Sequence, residues 1–293
     1  MTNHAALRKS RLMMLASMTI FGTIALFVRS IPVSSSEIAL YRAVMATALL
    51  GAYFWITGQK LDLRAIRKEL PLLLVSGVAM GFNWILLFEA YRYTTVSVAT
   101  LSYYFAPVIV TVACPILFHE KMGPKQWLCF VMSTIGIVLI TGIGDLSGSS
   151  THFTGILFGL GAAVLYATVI LLNKFIKGVA GAQRTFWQFA AAVATLLPYV
   201  AFTGGFHLGS LNAVGWVNLL IIGIVHTGIT YCLYFSALKN IPGQEAAILS
   251  YMDPLVAVAV SVFVLGEHLT VMQLTGGILI LGFTLYNEIK TEN

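Results

Sequence analysis

The chain contains 293 residues, of which 58% are hydrophobic and 10% are charged, whereas soluble domains contain roughly 45–50% and about 25%. This composition excludes an ordinary water-soluble protein, because so few charged residues cannot cover the surface of a chain of this size. The net charge of +6 falls mostly between the apolar runs, so it indicates membrane topology rather than binding to nucleic acid.

Ten apolar runs have about the length needed to cross a hydrocarbon layer, which takes roughly 20 residues. In chain order they cover residues 12–28, 38–57, 70–91, 96–118, 127–143, 153–172, 186–202, 214–238, 246–266 and 271–286. Segments such as 135–140 and 278–283 are apolar on every face, which favours helices over the alternating strands of a membrane barrel. The sequence therefore predicts an all-α membrane protein with ten transmembrane helices.

The distribution of basic residues predicts the orientation of these helices. If the amino terminus lies in the cytoplasm, 14 of the 17 Lys and Arg residues lie on that side, Arg29 and Arg92 lie on the other side, and Arg42 lies within the second helix. Both termini are therefore expected in the cytoplasm. The expected organisation is a cytoplasmic segment at 1–11, a first repeat at 12–143, a linker at 144–152, a second repeat at 153–287 and a cytoplasmic tail at 288–293.

The two halves are related by an internal repeat. Shifting the numbering by 147 residues aligns, without a gap, Gly81 with Gly228, Trp84 with Tyr231, Phe88 with Phe235, Ala90 with Ala237, Tyr104 with Tyr251, Pro107 with Pro254, Glu120 with Glu267 and Gln126 with Gln273. Each half holds five helices, and because five is odd, the second half starts from the opposite side of the membrane. Such an inverted repeat is typical of alternating-access carriers, which hold substrate near the midplane where the halves meet.

The repeated stretches resemble a known family. Residues 81–90, Pro107 and 120–126 of the first half, and 228–237, Pro254 and 266–277 of the second, are similar to the paired EamA domains of the drug/metabolite transporter superfamily. The first repeat departs from the usual Leu-Gly-Glu pattern by reading Phe-His-Glu at 118–120.

Within that superfamily, the third and fourth helices carry aromatic and amide side chains at Asn83, Trp84, Tyr103 and Tyr104. In this respect the chain most resembles the YddG-type exporters of aromatic amino acids. The resemblance implies a multi-pass secondary transporter of the bacterial inner membrane. It would move small organic solutes, with amino acids and above all aromatic ones favoured, out of the cell.

Arg42 and Asp253 are ionisable residues inside the apolar runs, and each requires a reason because charge at membrane depth is costly. Asp253 directly precedes Pro254, and the first repeat has Ala106 in its place. It could face water in the pathway, bind an amine or titrate, or it could be a buried partner of Arg42 or Lys239. Arg42 could snorkel or pair with Glu37, or it could bind a substrate carboxylate.

Other polar and aromatic residues mark the same central region. His226, Thr230 and Tyr234 share one predicted helix face at a spacing of four, although a lone His is more often a hydrogen-bonded interhelical residue. Trp84 and Tyr231 lie too near the middle of their runs for an interfacial belt and could form walls for an aromatic or cationic solute. The candidate substrate-binding residues are Met80, Asn83, Trp84, Tyr103, Tyr104, His226, Thr230, Tyr231, Tyr251 and Asp253, and the candidate helix-break or gating residues are Pro107 and Pro254.

The matched acids Glu120 and Glu267 end the fourth and ninth runs. We expect both to accept hydrogen bonds from the start of the next helix, where the helix dipole favours an anion.

Rival classes find little support in the sequence. A membrane-embedded enzyme, such as a lipid-modifying one, would require nucleophilic or metal-binding motifs, and none is present. A channel would normally place rings of carbonyl or charged groups around a pore. We therefore expect no catalytic residue, no metal and no cofactor. The expected partners are a small-molecule solute and the lipid bilayer but no nucleic acid, and the expected state is a monomer or a weak dimer.

Overall fold

The computed structural model describes residues 2–59, 66–118, 123–141, 150–176, 178–179, 181–238, 240–241, 246 and 249–288. Its main helices are α1 Thr2–Gly22, α2 Ile24–Val28, α3 Ser35–Ile56, α4 Leu70–Tyr93, α5 Val96–Tyr103, α6 Ala106–Phe118, α7 Pro124–Thr141, α8 Ser150–Phe175, α9 Gly181–Thr203, α10 Ala213–Leu220, the π-helix π1 Ile221–Ile229, α11 Thr230–Leu238, α12 Met252–Phe263 and α13 Val271–Glu288. Within these ranges there is no strand, which confirms the all-α fold class.

Seven helical segments are long and apolar enough to cross a membrane: Ala6–Val28, Ser35–Ile56, Leu70–Tyr93, Val96–Cys114, Thr151–Phe175, Gly181–Thr203 and Ala213–Tyr234. Each overlaps one predicted run. The three remaining runs contain the shorter apolar helices Pro124–Ile140, Met252–Phe263 and Val271–Asn287. Ten crossings with both termini in the cytoplasm stay a prediction, and Glu120, Lys239 and most of the linker lie outside the described residues.

The ends of two helices repeat the same backbone conformation. Gly58 follows α3 with φ +67, and Gly205 follows α9 with φ +77, at positions related by the 147-residue shift. Only glycine adopts this left-handed conformation without steric cost, so it commonly ends helices.

Helix breaks also recur at matched positions. Tyr104 and Phe105 form a turn between α5 and α6, and Tyr251 forms a turn before α12. Each break lies just before the proline that was predicted to cause it, so Pro107 and Pro254 occupy the first turn of the helix that resumes. A proline is tolerated there because the first turn of a helix has unpaired N–H groups in any case.

The packing of the helices follows the repeat. The α4 helix packs on α8 and α9, and the corresponding helices of the other half, π1 and α11, pack on α1 and α3. The repeat-equivalent runs 96–118 and 246–266 also contact each other, through α5 at the start of the first run and α12 in the second part of the other. Ser97 N donates to Ser261 Oγ at 3.3 Å, and Tyr104 Oη donates to Asp253 Oδ2 at 2.7 Å. The residue numbers in run 246–266 fall from 261 to 253 as those in run 96–118 rise from 97 to 104, so the two equivalent runs lie antiparallel.

The last helices of the two halves, α7 and α13, also cross at close range. A Cβ added to Gly276 would lie 2.4 Å from the carbonyl oxygen of Gly136, and one added to Gly136 would lie 2.7 Å from that of Gly276. Small residues of this kind permit close packing of helices in membranes.

Gly276→Ala should therefore destabilise the protein by about 1–3 kcal/mol, because the methyl group meets backbone that cannot move aside alone. The measurement is the midpoint of thermal unfolding in detergent. Gly282→Ala on the same helix is the matched control, because its Cβ meets nothing within 4 Å; alanine there should raise stability by about 0.5–1 kcal/mol through lower chain entropy. Equal shifts in the two variants would contradict the close crossing.

Candidate functional site

A cavity of about 140 Å³ lies at the centre of the molecule and is bordered by helices of both halves. Seven of the predicted binding residues line it: Met80, Asn83, Trp84, Tyr103, Tyr104, Tyr231 and Asp253. Three others, His226, Thr230 and Tyr251, are not among its lining residues. The structure therefore brings together most of the candidate residues from α4, from the two helix breaks and from the start of α11.

Local structure explains how the lining residues converge. Met80, Asn83, Trp84 and Leu87 share one face of α4 because residues three and four apart are neighbours on a helix, and all four line the cavity. Tyr103 and Tyr104 reach it from the broken end of α5. Asp253 reaches it from the first turn of α12.

Asn83 lines the cavity but is held by the protein. Its side chain is 2% exposed, and Nδ2 donates to the carbonyl of Ala162 on α8 at 2.6 Å. The amide therefore fixes α4 against α8 while its oxygen is available to a polar group.

Arg42 is the positive charge of the cavity. It is 5% exposed, its Nε donates to Thr227 Oγ1 at 3.0 Å, and its guanidinium carbon lies 4.4 Å from the centre of the Trp84 ring. Neither the predicted snorkelling nor the predicted pairing with Glu37 occurs: Glu37 instead accepts a hydrogen bond from the backbone N–H of His207 at 2.6 Å and one from Tyr41 Oη at 3.1 Å.

Asp253 is the negative charge of the cavity. Its Oδ2 accepts the hydrogen bond from Tyr104, and among the described ion pairs it has none with Arg42. Its position in the first turn of α12 places it where the helix dipole stabilises an anion. The structure therefore does not form the direct ion pair between Asp253 and Arg42 that was one of the predicted alternatives.

Aromatic rings form much of the wall. Tyr103 stacks on Tyr166 with ring centroids 5.2 Å apart and planes 29° apart, and Phe189 packs behind Trp84 and Tyr231 at 5.4 and 5.3 Å. Trp84 is 6% exposed, so it does not belong to an interfacial belt.

Sequence reasoning missed Tyr166 and Phe21, which also line the cavity. Their equivalents under the repeat are Thr19 and Thr168, so the internal alignment gave no signal. An aromatic residue in the middle of an apolar run was the only available indication.

The π-helix explains why His226 and Thr230 do not line the cavity. Hydrogen bonds in π1 span five residues, which widens each turn, so the predicted shared face at a spacing of four does not form. Thr230 Oγ1 donates to the carbonyl of Val225 at 2.7 Å, and His226 Nε2 lies 3.0 Å from Thr23 Oγ1. Both polar groups are thus used between or within helices.

Tyr251 faces elsewhere although its repeat equivalent, Tyr104, lines the cavity. It borders a separate apolar groove together with Leu255 and Leu274. The groove lies between α12 and α13.

An ionic cluster joins the two halves at the end of the molecule that the charge count predicts to be outside. Arg29 pairs with Glu267 of the other half and donates from Nε to the carbonyl of Tyr91 at 2.8 Å and from Nη2 to that of Thr94 at 2.6 Å. Tyr91 itself lines the cavity. Beyond the cluster lies an open vestibule that includes Arg29, Glu37 and Arg92.

Glu267 caps a helix, but a different one from that predicted. Its Oε2 accepts a hydrogen bond from Val96 N at 2.8 Å, at the start of α5, rather than from the next helix along the chain. A carboxylate at a helix start is favoured wherever that helix comes from, so the acid joins the two halves.

Comparisons with known proteins agree with this architecture. The model of the EamA-like transporter family matches residues 8–142 and 153–287. An uncharacterized transporter of Bacillus subtilis (strain 168), YxxF, is 30% identical over 91% of this chain and 85% of its own length. An uncharacterized transporter of Archaeoglobus fulgidus is 33% identical over 67% of this chain and 68% of its own length.

One solved crystal structure has a similar fold, with a TM-score of 0.64 and 18% identity, over 94% of both chains. At this identity the likeness concerns the fold alone. The family match covers both halves of the sequence, and the relatives are named as transporters and not as enzymes. The chain therefore belongs to the EamA-like transporter family and is a membrane transporter, not an enzyme.

Proposed function

We propose that the protein is an alternating-access secondary transporter that moves small organic solutes across the bacterial inner membrane. The observation that carries this proposal is the central cavity, to which both halves contribute aromatic and charged side chains. Rocking of the halves about this cavity would expose it to each side of the membrane in turn.

The antiparallel contact of α5 with α12 supports inversion of the two halves. α5 begins the run 96–118 and α12 lies in the second part of its repeat equivalent, 246–266, and equivalent runs of a parallel repeat would point in the same direction across the membrane. The double match of the family model and the glycine-ended helices α3 and α9 support the duplication itself.

The cavity favours amino acids, and aromatic ones among them, as substrates. A cavity of roughly 150 Å³ admits a benzene ring, whereas drug-sized ligands occupy about 300–1,000 Å³. The cavity here, at about 140 Å³, matches one ring, and its tyrosine and tryptophan walls suit an aromatic side chain. Export, as in the YddG-type proteins that the sequence resembles, is the proposed direction.

The alternative within the superfamily is a carrier of another metabolite or of a cationic drug. Asp253 beside aromatic rings is the observation that favours a cation. The small size of the cavity favours the amino acid.

Flux through purified protein in liposomes tests the proposal. We expect saturable counterflow of phenylalanine, tryptophan and tyrosine, and little flux of a nucleoside or a bulky cationic drug, with each measured in the presence and absence of a pH gradient. Indifference to amino acids would contradict the proposed substrate class, and flux without saturation or counterflow would indicate a channel.

A further inference from the structure

We infer that Arg42 and Asp253 bind the two charged ends of a zwitterionic substrate, with the α-carboxylate on Arg42 and the α-ammonium on Asp253. This inference rests on the proposed function and specifies how its substrate class is recognised. Each half of the protein would then supply one of the two charges.

The guanidinium of Arg42 has unused binding capacity. An arginine side chain carries five N–H donors, and the described protein provides an acceptor for Nε alone. Trp84 lies against the guanidinium and provides a cation–π contact, which favours the cation without using its N–H groups. The remaining donors form the fork that binds a carboxylate in a bidentate manner.

The carboxylate of Asp253 can accept further hydrogen bonds, just as the guanidinium of Arg42 can donate them. A carboxylate has two oxygens and can accept several hydrogen bonds, and its single described bond comes from Tyr104. The start of α12 favours its charged form without a neighbouring cation. An ammonium group of a substrate would therefore find an accepting anion.

The two charges occur where the repeated halves differ. The repeat equivalent of Arg42 is Phe189, and that of Asp253 is Ala106. Phe189 serves only in packing, since its ring contacts the rings of Trp84 and Tyr231. A purely structural duplication needs no charge at either place, whereas here each half supplies one charge beside the same cavity.

The arrangement selects against solutes with a single charge. Two opposite charges that share a cavity without direct contact balance each other only in part, and a zwitterion can neutralise both. A simple amine would leave Arg42 unpaired and a simple carboxylate would leave Asp253 unpaired, and an unpaired buried charge is strongly unfavourable.

Three probes with the same ring separate these contributions: L-phenylalanine carries both charges, phenethylamine only the ammonium group, and hydrocinnamate only the carboxylate. The binding of each to purified protein in detergent is measured, together with its flux in liposomes. Wild-type protein should bind phenylalanine roughly tenfold to 100-fold more tightly than either single-charge probe.

The variants should show a crossed pattern. Arg42→Gln should weaken phenylalanine binding by roughly tenfold or more and strengthen phenethylamine binding, because the repelling cation is gone. Asp253→Asn should weaken phenylalanine binding and strengthen hydrocinnamate binding. Arg42→Lys and Asp253→Glu, which keep the charges, should regain part of the phenylalanine binding.

The ratios within one variant do not depend on how much of the protein is folded, so a structural defect cannot produce this pattern. Arg92→Gln is the matched control, because it removes a cation from the vestibule and not from the cavity. The inference is wrong if Arg42→Gln and Asp253→Asn each weaken the binding of all three probes by the same factor. It is also wrong if the wild type binds phenylalanine no more tightly than phenethylamine. If wild type binds and transports none of the three, the proposed amino-acid substrate is itself wrong.

Discussion

Replacing Arg29 by Gln should open the central cavity to the side of the membrane that is predicted to be outside. The side chain joins the halves through its ion pair with Glu267 and is bonded to the carbonyls of Tyr91 and Thr94. It is 28% exposed, and Glu267 is 11% exposed, so solvent screens the pair only in part. Hydrogen bonds to charged groups are worth about 1.5–3 kcal/mol, and about 1.4 kcal/mol changes an equilibrium tenfold.

The opening can be measured with a cysteine inside the cavity. Thr100 lines the cavity, so Thr100→Cys, in a chain whose native Cys114, Cys129 and Cys232 are replaced, reports access from outside when intact cells are treated with a membrane-impermeant thiol reagent. We expect Arg29→Gln to increase the labelling rate roughly tenfold.

Arg92→Gln provides the comparison. It removes the same charge from the same vestibule, but Arg92 donates to the carbonyl of Val33 in its own half. Labelling should therefore stay at the level of the unsubstituted protein. An equal rise in both variants would show that vestibule charge, and not the contact between halves, controls access.

Much of the fold could be predicted because hydropathy and the repeat are strong signals. Apolar runs of sufficient length predict helices whatever their partners are, and seven of them match long apolar helices. The helix breaks before Pro107 and Pro254 could also be predicted, because the proline positions repeat. The hydrogen-bond partners of Arg42 and Glu267 could not be predicted, because both are supplied by segments more than 150 residues away.

The errors at the site have a common physical cause. The assignment of His226 and Thr230 to one face assumed an α-helix, but residues 221–229 form a π-helix, which local sequence preference does not predict. Tyr166 was missed because the two repeats differ at that position. Whether Trp84 belongs to an interfacial aromatic belt or to the wall of the cavity depends on its burial. That burial depends on how the two halves pack together.

The central claim is that two halves of opposite orientation enclose one cavity. Thr57 and Gly204 are equivalent under the 147-residue shift, both are exposed, and each follows a matched helix, α3 or α9. A protein with inverted halves places them on opposite sides of the membrane, and the distribution of basic residues places Thr57 inside.

Single cysteines at these two positions, in the same chain without native cysteines, test the claim directly. An impermeant thiol reagent added to intact cells should label Gly204→Cys, and should label Thr57→Cys only after the membrane is permeabilised. Labelling of both cysteines from the same side would contradict inversion of the halves and, with it, the alternating-access mechanism.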